Sequence, residues 1–161
     1  MKKAICILYG TKNDIFGTVH FSQCCINHPT KIVFNLGKFG ANETHAIHIH
    51  EYGDTTDGCT SLGLHYNPYG TTHGSRNDPS RVRHAGDLIN NFTTDKNGNF
   101  NFSYKDGLVT LFGENSILGR SVVIHDGIDD LGLGTGKAKK DSLISGNAGS
   151  RMACGIIGLM K

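Results

Sequence analysis

The 161-residue chain has only three prolines and no apolar run near the ~18 residues of a membrane-crossing helix. A spanning helix is therefore excluded. The start, Met1-Lys2-Lys3-Ala4-Ile5-Cys6-Ile7, offers too short an apolar stretch for a cleaved secretion leader and lacks a cleavage site, so the expected address is cytoplasmic. A charge excess of one sign is also missing. Sixteen basic and 14 acidic side chains leave a net charge of +2, too mild for the basic face of a nucleic-acid binder. No amphipathic pattern reaches the ~11 residues of an average helix, and the chain shows no internal repeat or low-complexity tail. With 37% apolar and 19% charged residues it reads as a folded protein, and its length suits a single domain over residues 1–161.

Glycine and histidine are abundant, at 22 and nine. A glycine-rich, proline-poor chain with scattered β-branched runs predicts many short strands joined by tight turns. Strand signals fall at residues 4–9, 15–22, 31–36, 44–50, 87–93, 99–104, 108–112, 117–124 and 152–159. Asp95-Lys96-Asn97-Gly98 reads as a hairpin turn between two of them. Eight or nine short strands imply an all-β antiparallel barrel or sandwich. Residues 53–83 and 126–150 break the rhythm. Loops of this length are usually functional or disordered, and a metal would give the first its fixed points.

The histidines supply a means. His48 and His50 lie two apart in a strand signal, so their rings share one face and can converge on one ion. His125 closes another strand and is a candidate third ligand. His65, His73, His84 and Asp87 lie in and beside the first loop, three imidazoles and a carboxylate suited to zinc. Solvated loop histidines would be the plain alternative for this second set.

The longer motifs are more specific. His48-Ile-His-Glu-Tyr-Gly-Asp54 is followed by Gly58-Cys-Thr-Ser61, Gly63-Leu-His-Tyr-Asn-Pro68, His84-Ala-Gly-Asp-Leu88, Asp129-Asp-Leu-Gly132 and Gly146-Asn-Ala-Gly-Ser-Arg-Met-Ala-Cys-Gly155. In this order they strongly resemble the copper–zinc superoxide dismutases, over essentially the whole chain. The resemblance implies an eight-stranded Greek-key barrel in which His48, His50, His65 and His125 bind copper. His65, His73, His84 and Asp87 would bind zinc, so that His65 bridges the ions. Asp129 would link a copper histidine to a zinc histidine. Arg151 would draw in the superoxide anion, with His65 its catalytic partner. Cys59 and Cys154 would form a disulfide. Relatives pair as homodimers, here through Tyr52, Gly53, residues 117–119 and residues 155–159, and the resemblance implies an internal helper or a dedicated copper chaperone that oxidises the disulfide. The implied activity is dismutation of superoxide to dioxygen and hydrogen peroxide. The rival is an inactive homologue that only holds copper or zinc, or serves as a chaperone decoy. Such a protein would be expected to have lost a copper histidine or Arg151, and this chain has them all.

Two departures stand out. His73 and His84 are eleven apart, an apparent two-residue insertion relative to the family. The later loop is longer too and carries Lys137, Lys139 and Lys140, expected to steer an anion. Of the remaining groups, His45 falls on the strand face opposite His48 and reads as a structural hydrogen-bonding residue. His20 and His28 read as surface residues, Cys6 as a buried strand thiol, and Cys24 and Cys25 as free thiols near a turn.

Overall fold

The computed structural model of the chain describes residues 1–12, 14–78 and 82–161. Eight strands form one antiparallel sheet. They are β1 (Lys2–Gly10), β2 (Ile15–Gln23), β3 (Thr30–Leu36), β4 (Thr44–His50), β5 (Asn90–Thr93), β6 (Phe100–Asp106), β7 (Ser121–His125) and β8 (Arg151–Leu159). Their spatial order is β5-β4-β7-β8-β1-β2-β3-β6, which curls into a nearly closed barrel. β6 lies beside β3 and β7 between β4 and β8, so connections cross the barrel ends in Greek-key fashion.

Period-two alternation fills the interior. Ala4, Cys6 and Leu8 of β1, Val19 and Phe21 of β2, Ile32 and Phe34 of β3, Ile47 and Ile49 of β4, and Val122 and Ile124 of β7 share one core. His48, His50 and Val123 take the other face of their strands, yet they too are buried, because the long loops cover that side. Leu62 packs there against Val123 and Cys154.

Three strand expectations need correction. Residues 108–112 form no strand, only a single bridge from Thr110 to Ser116. Val109 and Leu111 are buried, but side chains take their backbone donors. Asp106 accepts the Leu108 and Val109 N–H groups and Gln23 accepts that of Leu111. The strand expected over 87–93 begins only at Asn90, whose left-handed φ of 59° breaks it, and that over 117–124 begins at Ser121, after Gly119 at φ 79°. Asp95–Gly98 does turn, with the Gly98 N–H on the Asp95 carbonyl. It does not make a hairpin, however, for β5 and β6 pair with β4 and β3 at opposite edges. Thr94, Asp95 and Gly98 are tied instead to the chain at 39–43.

The late loop is not structureless. It holds a seven-residue helix, α1 (Lys139–Ser145), stopped by left-handed Gly146. Residues 79–81, the centre of the extra length between His73 and His84, lie outside the described residues.

Candidate metal centre

β4 delivers His48 and His50 from one face. The β4–β5 loop then doubles back along β4, with the Glu51 N–H on the Leu64 carbonyl and the Tyr66 N–H on that of Ile49. This puts the His65 ring 3.9 Å from the His48 ring and 5.0 Å from that of His50, centroid to centroid. β7 brings in His125, whose ring lies 5.4 Å from that of His50. Further along the loop, His73, His84 and Asp87 gather on the other side of His65. His73 is held by its N–H on the Leu143 carbonyl of α1.

Two donor groups result. One atom each from His48, His50, His65 and His125 lie within 4.8 Å of one another, as do one atom each from His65, His73, His84 and Asp87. All seven residues are buried. The structure thus brings together every histidine and the aspartate singled out as ligands in the sequence.

Hydrogen bonds fix which nitrogen of each ring is left over. The His48 Nε2–H donates to Asp129 Oδ2 at 2.6 Å, which leaves Nδ1 buried and unpartnered. The Nδ1–H groups of His50 and His125 donate to the Gly63 and Gly149 carbonyls. Their Nε2 lone pairs therefore face each other at 3.3 Å, an arrangement that a cation between them relieves. His73 Nε2 is 2.8 Å from Asp129 Oδ1, and the His84 Nε2–H donates to the Thr71 carbonyl. On the far side, Nδ1 of His65, His73 and His84 approach Asp87 Oδ1 at 2.9, 2.9 and 3.3 Å. His65 alone has no outer partner. Its Nδ1 faces one group and its buried, unpaired Nε2 the other. The donor set fits two metal ions, an all-imidazole group suited to copper and a three-imidazole, one-carboxylate group suited to zinc.

The electrostatics differ between the two groups. Burial holds His50 well below the usual imidazole range, with His65 adding to the effect. Burial and then His48 push His65 down to about 3, and burial brings His125 to about 4. These rings are neutral and ready to coordinate. Burial also opposes charge on His73, but hydrogen bonds to Asp129 and Asp87 outweigh it and raise His73 to about 9. Burial would raise Asp87, yet contacts with His65, His73 and His84 hold its carboxyl well below the usual range.

Several supporting residues were not legible in the sequence. Asn90 donates to Asp129 Oδ2 and to the Gly74 carbonyl, while Asn91 exchanges two hydrogen bonds with the Asp129 backbone. Arg83 grips the His84 and Asp87 carbonyls and pairs with the buried Asp106. The paired asparagines inside a strand signal were the only hint. A Cβ on Gly146 would collide with the Asp129 carboxylate and the His73 ring, which explains glycine at the head of that motif.

Arg151 sits opposite His125 across β7–β8. Its guanidinium donates to the carbonyls of Cys59 and Thr60 (2.6 and 3.2 Å) and of Gly63 (2.6 Å). The Cys59–Cys154 disulfide is formed, and Cys6, Cys24 and Cys25 are free. His45 donates from Nδ1 to the His125 carbonyl and stays outside both groups, as its strand face requires. Among the described residues no helix is long and apolar enough to cross a membrane.

Fold and donor geometry together define the class, a β-barrel metalloprotein with two neighbouring donor groups. The family model for copper/zinc superoxide dismutase matches residues 15–157. The chain is 48% identical over 159 residues to a Cu-Zn superoxide dismutase of Talaromyces marneffei, with 99% of each chain covered. It is 46% identical to that of Neurospora crassa over all of both chains, and 45% identical to that of Schizosaccharomyces pombe over 99% of each. The chain belongs to the copper/zinc superoxide dismutase family.

Proposed function

We propose that His48, His50, His65 and His125 hold copper, that His65, His73, His84 and Asp87 hold zinc, and that Asp129 locks the two sets together. The observation that carries this reading is that each ring except His65 has one nitrogen committed to the protein, leaving the other aimed into a donor group. The protein is a superoxide dismutase, converting two superoxide anions and two protons to dioxygen and hydrogen peroxide. Copper held by its four histidines would supply a one-electron redox couple, while zinc, without redox chemistry, would fix its ligands. The chain does the rest. The Asp129 carboxylate orients His48 and His73 at once. His65 Nε2 is the atom where a proton can be held and passed to the nascent peroxide, since Nδ1 is engaged at Asp87.

Arg151 attracts and orients the anion, its guanidinium directed by three carbonyls of one loop. The exposed Lys137, Lys139 and Lys140 add positive potential. Arg151→Ala is expected to lower kcat/KM about tenfold or more and to flatten its fall with added salt. Stopped-flow superoxide decay across ionic strengths checks this, and an unchanged rate and salt slope would remove Arg151 from the mechanism. Full copper and zinc occupancy without superoxide consumption would sink the enzyme reading. Nothing among the described residues favours an inactive metal-holding homologue.

Zinc uptake carries a pH signature. With His73 raised to about 9, the metal-free ring is protonated at neutral pH, and a zinc ion held there would have to displace a proton from it. Affinity from this ring alone is expected to rise by up to about tenfold per pH unit between about pH 6 and 8. Competition against a zinc chelator measures it, and a flat profile contradicts the assignment.

The single domain spans residues 1–161, works in the cytoplasm, draws copper from a chaperone, and pairs as a homodimer. Support for pairing comes from exposed Ile7, Ile156 and Leu159 on the paired strands β1 and β8, with Gly53 close to Ile156. Sedimentation equilibrium decides the oligomeric state, and a monomer at micromolar concentration refutes the dimer.

A further inference from the structure

The β2–β3 turn carries a third group of donors, separate from the two above. We propose that Cys24, Cys25 and His28 form a surface site for a soft monovalent ion, copper(I). All three residues are exposed, and one donor atom from each lies within 4.8 Å of the others. Both thiols are free, and their sulfurs are 3.1 Å apart. Neighbours in a strand point to opposite faces, but β2 ends at Gln23, and beyond it the chain turns so that the two sulfurs converge.

The turn is built, not loose. Asn27 takes the left-handed conformation (φ 71°), and the His28 N–H donates to the Cys25 carbonyl at 3.3 Å. Gln23, only 3% exposed, staples the turn to the barrel. Its Nε2 donates to the His28 carbonyl at 2.6 Å, and its Oε1 accepts the Leu111 N–H at 2.7 Å and the Thr110 hydroxyl at 3.2 Å. A pinned backbone lowers the ordering cost that exposed ligands normally meet.

The donor chemistry selects the ion. Two sulfurs and one imidazole form a soft, three-donor set without a carboxylate, which suits copper(I), whereas zinc seeks four ligands. Each thiol that ligates gives up its proton on binding.

The test uses the copper- and zinc-loaded protein under anaerobic, reducing conditions, with copper(I) supplied from a chromophoric copper(I) chelator. One further equivalent is expected to leave the chelator, with a new thiolate-to-copper absorption in the ultraviolet. Cys24→Ser/Cys25→Ser is expected to lose both signals, and His28→Ala to weaken binding about tenfold. Both variants should retain dismutase activity and melting temperature, because the turn lies outside the catalytic groups. Equal uptake by the double-serine variant, no uptake by the parent, or retention of zinc(II) in preference to copper(I) would each overturn the site.

Discussion

Stripping both metals is expected to lower the melting temperature by about 20 °C or more. Asp87 and Asp129 are buried at 0% and 2% exposure, amid six buried histidines that have little other reason to be inside. Without cations, Nδ1 of His48 and Nε2 of His65 are buried and unpaired, at roughly 1–3 kcal/mol each. Structural zinc alone binds small domains with an apparent ~10–16 kcal/mol, and in a chain of this size each kcal/mol moves the melting point by about 2–4 °C. The β4–β5 loop depends on these fixed points, for among its described residues only the short helical turn Thr60–Leu62 is regular. Calorimetry on chelator-treated and reconstituted protein measures the difference. A shift below about 5 °C would mean that the loops hold their shape unaided.

The second large effect is expected from Cys59→Ser/Cys154→Ser. The bridge closes a stretch with a sequence separation of 95, worth up to ~4–5 kcal/mol in the chain-entropy picture, or about 10–20 °C. Activity should fall as well, for a geometric reason. Arg151 stands three residues before Cys154 and binds the carbonyls of Cys59, Thr60 and Gly63, so bridge and guanidinium share one loop segment. Releasing it frees the anchor of Arg151, the charge proposed to steer the substrate, and kcat/KM is expected to drop about tenfold even in fully metallated protein. Calorimetry and stopped-flow decay of the same sample separate the two consequences. An intact rate with a lowered melting point would make the bridge a brace alone.

Much of this was legible in the residues. His48 and His50 announced a shared face through the two-residue strand period, and His65, His73, His84 and Asp87 announced a pinned loop. Side chains acting on backbone were harder to read. The segment 108–112 has strand composition, yet Asp106 and Gln23 intercept its donors, a competition that β propensity does not register. The helix Lys139–Ser145 is two turns long, below the length at which a helical period stands out. Asn90 and Asn91 serve Asp129 from nearly 40 positions away, and no local pattern carries that pairing.

The Asp129 carboxylate bears on how this protein tolerates change. Two long excursions of the chain meet at that one group, and glycine 146 leaves no slack beside it. Extra residues between such rivets cost little, since doubling a loop's length adds only ~0.6 kcal/mol of closure entropy. Spans between rivets are therefore free to grow, whereas the rivets themselves must keep their identity and their distance.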